Sequence, residues 1–148
     1  MSDGVKIERL TRQMLCEIAE IERICFSSPW SEKSLELLLG DGAVGFAATL
    51  DGKGVVAYAG MLTVLDEGQI TNVATLPEYR GRGFARAIML SLEEYARENN
   101  ISLLSLEVRW SNDAARALYC SLDWCEVGVR KNFYKQPTED AIIMIKKL

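Results

Sequence analysis

Asn72-Val73-Ala74-Thr75-Leu76-Pro77-Glu78-Tyr79-Arg80-Gly81-Arg82-Gly83-Phe84-Ala85-Arg86 is the stretch whose reading decides the fold. Gln69–Leu76 is rich in strand-compatible residues, and the polar, glycine-bearing segment 77–83 ends it. Phe84, Ile88, Leu92 and Tyr95 then fall on one face of a helix that Asn99-Asn100 closes. A strand that passes through such a loop into a helix presents the helix's first unpaired N–H groups beside the loop, where the helix dipole favours an anion. Gly81 and Gly83 allow close backbone approach, and Arg80, Arg82 and Arg86 add donors suited to phosphate. On spacing alone the same residues also fit a solvated basic turn. Two other phosphate loops are excluded. A dinucleotide fingerprint needs a third glycine where this chain has Arg86, and a P-loop needs Gly-Lys-Ser/Thr.

Outward from this stretch, the N-terminal side begins with a strand at Val5–Leu10 and a helix that Thr11 caps. Met14, Ile18, Ile21 and Cys25 form its apolar stripe, and Ser27-Ser28-Pro29 ends it. Ser31 caps a second helix to about Leu39, with Leu35, Leu38 and Leu39 inward and Gly40-Asp41-Gly42 closing it. Ala43–Leu50 and Val55–Leu65 read as strands joined at Asp51-Gly52-Lys53-Gly54, with the next turn at Glu67-Gly68. On the C-terminal side Ile101–Val108 is a strand. Asn112 or Asp113 caps a helix to Leu122 with Ala115, Leu118 and Leu122 buried. Trp124–Tyr134 and Ala141–Lys147 are final strands joined by a loop that contains Pro137. This order predicts one α/β domain over 1–148 with a mixed sheet. Three consecutive hairpin-connected strands do not fit a strictly alternating doubly wound fold.

The bulk composition narrows the function. At 148 residues the chain suits one domain, and no apolar run approaches the roughly 18 residues of a membrane span. The first ten residues are too polar for a secretory h-region, so a cytoplasmic location and no membrane partner are expected. A net charge of −4 without a Lys/Arg block argues against a direct nucleic-acid partner and leaves a basic peptide acceptable. Cys16, Cys25, Cys120 and Cys125 form no C-x-x-C pair. They are expected to be small buried apolar residues, without zinc or another metal. The chain has no histidine, which removes Ser-His-Asp and Cys-His catalysis and a histidine base. Proton transfer near neutral pH then falls to a carboxylate, Tyr, Cys, Lys or water.

Glu107, at the end of the apolar strand Leu106-Glu107-Val108, is a candidate general base. Tyr119 lies twelve residues on, on the following helix. A strand–loop–helix return brings that helix back over the sheet, so both groups can face one cleft. The alternatives are a Glu107 ion pair with Arg109 or Arg80, and a purely structural Tyr119.

Arg80-Gly81-Arg82-Gly83-Phe84-Ala85 fits the acyl-CoA motif Gln/Arg-x-x-Gly-x-Gly/Ala of the GNAT superfamily of N-acetyltransferases, which the chain resembles. A closer resemblance is to the bacterial ribosomal-protein-alanine N-acetyltransferases. It rests on Phe26-Ser27-Ser28-Pro29-Trp30-Ser31, Leu106-Glu107-Val108-Arg109, Ser111-Asn112-Asp113-Ala114-Ala115 with Leu118-Tyr119, and Glu139-Asp140-Ala141-Ile142-Ile143-Met144. The resemblance implies a mixed, mostly antiparallel sheet of about seven strands with about four helices, its central strands splayed around acyl-CoA. It implies acetyl-CoA as co-substrate and no metal. The backbone of Val73, Ala74 and Thr75 would hold the pantetheine arm. Arg80, Gly81, Arg82, Gly83, Phe84, Ala85 and Arg86 would wrap the pyrophosphate, and Asn112 would bond the arm.

By the same resemblance Glu107 is the base through water, Tyr119 protonates the departing thiolate, and Trp30, Phe133 and Tyr134 border the acceptor. The implied partner is the N-terminal segment of a protein substrate, a small-subunit ribosomal protein acetylated on its first alanine. Phe133 stands where the family usually has Tyr, and Trp110 where relatives often have a small residue. An N-terminal amine, with pKa about 7.7–8.0, is neutral at pH 7 far more often than a lysine near 10.4, so a carboxylate relay suits it better. A broader peptide or small-amine acetyltransferase, and an acyl-CoA-binding module without turnover, are the alternatives.

Overall fold

Ala43–Leu50 (β2) and Gly54–Val64 (β3) carry near-continuous apolar runs because helices cover both of their faces. On one side Phe84–Glu98 (α3) sets Ile88, Met89 and Leu92 against Val44, Ala48, Val56 and Met61. On the other, Leu15–Cys25 (α1) and Glu32–Leu35 (α2) set Leu15, Ile18, Ile21 and Leu35 against Ala47, Val55 and Tyr58. The sheet is thus the middle of three layers. Gly60 lets the α2 side close down, since a Cβ there would sit 2.6 Å from a Leu38 methyl.

The computed structural model describes residues 4–148. Val5–Arg9 (β1), Glu67–Thr75 (β4), Leu103–Arg109 (β5), Cys125–Tyr134 (β6) and Glu139–Lys147 (β7) complete a seven-stranded sheet, and Asp113–Ser121 (α4) is the fourth α-helix. The strand order is β1-β2-β3-β4-β5-β7-β6. Every neighbouring pair is antiparallel except β4 with β5, so the mixed, mostly antiparallel architecture is the one expected. Among the described residues no helix is long and apolar enough to cross a membrane.

One register feature creates the site. The parallel strands β4 and β5 pair only at Glu67 with Leu103, Gly68 with Leu104 and Gln69 with Ser105. Just beyond, Met61 faces Ile70 and Gly60 faces Asn72, so Thr71 is an extra residue on β4. Such a bulge bends its strand and increases its twist. From Asn72 to Thr75, β4 keeps β3 on one edge and opens away from β5 on the other.

Several local expectations change. Thr11 makes no side-chain cap bond, and α1 is entered through a 3-10 turn at Arg12–Met14. Ser31 does cap α2, its Oγ accepting Ser34 N at 3.1 Å, but one α-turn gives way to a 3-10 segment at Glu36–Leu39. That tighter winding leaves Leu39 only half-buried. The β3–β4 turn falls at Leu65-Asp66, with Leu65 at φ 54°, because Glu67 and Gly68 are already paired into the sheet. On α4, Tyr119 is buried while Ala115 and Leu118 are half-buried. The cysteines are not core residues: Cys16, Cys120 and Cys125 are exposed on helix faces and on edge strand β6, and Cys25 is half-buried.

Candidate active site

The opening between β4 and β5 holds two cavities, of about 570 and 690 Å³. They share Cys25, Phe26, Val73, Asn112 and Tyr119, and so form one cleft with a waist. The larger half lies at the start of α3. Val73, Ala74, Thr75, Arg80, Gly81, Gly83, Phe84, Ala85 and Arg86 all border it.

Gly81 and Gly83 have φ of +76° and +85°, a backbone region costly for residues with a Cβ. A Cβ built on either has no atom within 4 Å, so the loop is an open cradle and not a packed turn. Arg80 Nε donates to the Thr75 carbonyl at 3.1 Å, and Arg86 Nη1 donates to Ser121 Oγ at 3.0 Å, tying α3 to α4. Arg82 stands apart from this half, its guanidinium over the Tyr79 ring at 5.2 Å. Asn112 caps α4 through Oδ1, which accepts Ala115 N at 3.2 Å, and its side chain borders both cavities.

The smaller half is walled by β4, β5, the α1–α2 connection and the β6–β7 loop. Glu107, Tyr119, Trp30, Phe133 and Tyr134 all border it. Glu107 pairs with neither Arg109 nor Arg80. Arg130 Nε lies 2.5 Å from its Oε2, but the two are not aligned as a hydrogen bond, and that buried oxygen has no hydrogen-bond partner. Tyr119 packs its ring 6.1 Å from Trp124, and burial, then nearby Tyr134, pushes its hydroxyl pKa up. Tyr134 is pushed up to about 12, by burial first and by the Glu107 charge second. Tyr134 thus feels the Glu107 charge, and Tyr119 in turn feels Tyr134, within one pocket. Phe133 meets Tyr134 edge to face at 5.1 Å. Trp110 lies outside both cavities with Arg116 4.9 Å from its ring, so it packs and does not narrow the cleft.

Two residues of this half escape a reading by motif. Glu22 is fully buried and accepts from Trp30 N at 2.8 Å, Tyr58 Oη at 2.5 Å and Asn72 Nδ2 at 3.0 Å. Three donors offset the desolvation of its carboxylate and tie the Trp30 loop to the bulged part of β4. Burial, then the Glu22 charge, raises the Tyr58 pKa and keeps that phenol a donor. A signal was present, since Glu22 sits four residues after Ile18 on the buried stripe of α1. Arg109 is the second. It lies two residues beyond Glu107 on the same face of β5, and its guanidinium reaches the carbonyls of Lys135 and Pro137 and the carboxylate of Glu139.

Residues 15–123 match the model of the Acetyltransferase (GNAT) family. The chain is 41% identical over 128 residues to the [ribosomal protein bS18]-alanine N-acetyltransferase of Escherichia coli (strain K12), covering 84% of each chain. It is 33% identical over 141 residues to the protein of the same name from Haemophilus ducreyi, covering 93% of this chain and 97% of that one. The crystal structure of the ribosomal-protein-S18-alanine N-acetyltransferase from Escherichia coli superposes with a TM-score of 0.88 at 36% identity, over 97% of this chain and 93% of that one. The bulged and splayed sheet, the open glycine cradle and these likenesses agree: the chain belongs to the GNAT acetyltransferase family and is an acyltransferase.

Proposed function

We propose that this protein is an acetyl-CoA-dependent N-α-acetyltransferase that acetylates the N-terminal alanine of a small-subunit ribosomal protein, bS18 by analogy with its relatives. The observation that carries the proposal is the waist of the cleft. Val73, Asn112 and Tyr119 stand where the cavity of the glycine loop meets the cavity that Glu107 borders. A donor and an acceptor entering from opposite ends meet there.

The residues fit acetyl-CoA, which supplies the acetyl group as a thioester. The open cradle at Gly81 and Gly83 admits a pyrophosphate close to the backbone, with the first-turn N–H groups of α3 and the charges of Arg80 and Arg86 beside it. Arg82 contributes through its backbone, since its side chain rests on Tyr79. Phe84 and Ala85 carry two of those first-turn groups. The edge of β4 at Val73, Ala74 and Thr75 is free of β5 and offers backbone donors to the arm and to the thioester carbonyl. The Asn112 amide nitrogen bonds the arm.

Trp30, Phe133 and Tyr134 enclose the incoming N-terminus. Glu107, through water, takes a proton from the acceptor ammonium, and the neutral amine forms its bond to the acetyl carbon. Tyr119 Oη gives a proton to the sulfur as the C–S bond breaks, the nitrogen sheds its second proton to water as the amide forms, and solvent reprotonates Tyr119 and takes the proton held by Glu107. The raised pKa of Tyr119 keeps it in the donor state across neutral pH.

Two measurements test this assignment. An Ala-starting bS18 peptide is expected to exceed spermidine in kcat/KM by about 100-fold, because a site with fixed polar partners discriminates strongly. Preference for spermidine would make the protein a small-amine acetyltransferase instead. Gly83→Asp is expected to raise the Kd for acetyl-CoA at least tenfold. The added side chain fills the open cradle and sets a like charge against the pyrophosphate, and about 1.4 kcal/mol of lost binding is tenfold. Unchanged affinity by calorimetry, in a variant that melts like the wild type, would place the pyrophosphate elsewhere.

A further inference from the structure

We propose that Arg109 is a positioning residue that clamps the β6–β7 loop into the wall of the acceptor cavity and thereby sets the affinity for the acceptor. The inference rests on reading the smaller cavity as the acceptor site, and it adds a function for a side chain that borders that cavity.

The loop departs from regular strand pairing. The pairing of β6 with β7 shifts register between Arg130 and Tyr134. Asn132 and Gln136 take φ of 54° and 49°, a region that residues with a Cβ adopt at a cost and keep only when their surroundings hold them. Yet Phe133, Tyr134, Lys135, Gln136 and Pro137 form one side of the acceptor cavity. Within the hairpin, Asn132 N donates to Asp140 Oδ1 at 2.8 Å and Lys135 Nζ to the Asn132 carbonyl at 3.3 Å, while the Lys135 and Pro137 carbonyls are held from outside the loop.

Arg109 holds them. Nη1 donates to the Pro137 carbonyl at 3.0 Å and to Glu139 Oε1 at 3.1 Å, and Nη2 donates to the Lys135 carbonyl at 3.1 Å. The guanidinium also lies 4.5 Å from the centre of the Tyr134 ring. One planar group thus fixes two loop carbonyls, the strand that follows and the aromatic ring that faces Glu107. Only the arginine fork has this geometry, because a lysine ammonium is a single point charge. Glu139 also accepts Ser111 N at 2.6 Å, which fastens the loop's far end to the approach to α4. Ser27 Oγ donates to the same Lys135 carbonyl at 3.4 Å and links the loop to the opposite wall. The Arg109–Glu139 pair is half-buried, with side chains 27% and 16% exposed, while the bonds to the Lys135 and Pro137 carbonyls are open to water.

The test compares wild type with Arg109→Ala, Arg109→Lys and Glu139→Gln. It reads steady-state constants for an Ala-starting peptide and for acetyl-CoA, amide hydrogen exchange over residues 133–138, and thermal unfolding. Arg109→Ala is expected to raise the acceptor KM about ten- to hundredfold, the scale of an ångström-sized misplacement. The acetyl-CoA KM should stay within about twofold. The loop amides should exchange faster. Arg109→Lys should recover part of the acceptor KM, and Glu139→Gln should shift it less and in the same direction as Arg109→Ala. If Arg109→Ala does not fold, the other two variants decide. An unchanged acceptor KM, unchanged loop exchange, or an equal rise in both KM values would overturn the clamp. A wild-type protein inert toward every peptide would instead remove the acceptor assignment, and unchanged loop exchange in the variants would separately remove the clamp.

Discussion

Tyr119→Phe is expected to slow acetyl transfer at saturating substrates by about 100-fold or more, while the affinity for acetyl-CoA stays within about twofold. The ring stays, and with it the packing against Trp124 and the wall it gives to both cavities. Only the hydroxyl proton is lost, so the loss falls on kcat. The raised pKa adds a second expectation. A phenol whose folded pKa lies above its ordinary value near 10 stays protonated below that value. The wild-type rate therefore shows no alkaline fall from loss of this acid up to about pH 10. A stopped-flow or thiol-trapping assay on the two proteins checks both points. Equal turnover would take Tyr119 out of the chemistry.

Glu107→Gln is expected to lower kcat/KM by about 100-fold at pH 7 and by less as pH rises. The sign follows from the acceptor. An α-amine with pKa near 8 is mostly ammonium at pH 7 and mostly free amine by about pH 9, so the proton relay matters most on the acid side. The variant's pH–rate profile should therefore be steeper than the wild type's. A constant ratio of the two rates across this range would count against the base role. Stability should change little. The lost partner, Arg130, is 60% exposed, and pairs with one end in solvent contribute about 1 kcal/mol or less.

What could be read from the sequence was what local patterns encode. Glycines at 81 and 83 between a strand and an apolar helical stripe marked the cradle, and both residues do adopt the left-handed backbone that glycine permits. Glu107 at the end of an apolar strand and Tyr119 on the next helix were placed on one cleft, and both border the same cavity. Long-range partners were not readable. Glu22 meets Tyr58 and Asn72, 36 and 50 residues away, and Arg109 meets a loop 26 to 30 residues on. No periodicity reports such pairings.

The depth of the splay was hidden for the same reason. It depends on Thr71 having no counterpart on β3, which is a property of register and not of residue type. The turn at Leu65-Asp66 was misplaced by two residues because the glycine at 68 serves strand packing. A Cβ there would sit 2.7 Å from the Met61 sulfur. Among the arginines of the loop, composition could not separate Arg82, stacked on Tyr79, from Arg80 and Arg86 in the cavity wall.

Mass spectrometry of acetyl transfer is the most direct test of N-terminal specificity. The purified protein, acetyl-CoA and a peptide matching the start of bS18 would be incubated beside the same peptide with a blocked α-amine and an internal lysine. Fragmentation would locate the label. A single acetyl group on the α-amine of the first alanine, with none on the blocked peptide, is the predicted result. Acetyl on lysine, or no transfer to either peptide, would contradict it.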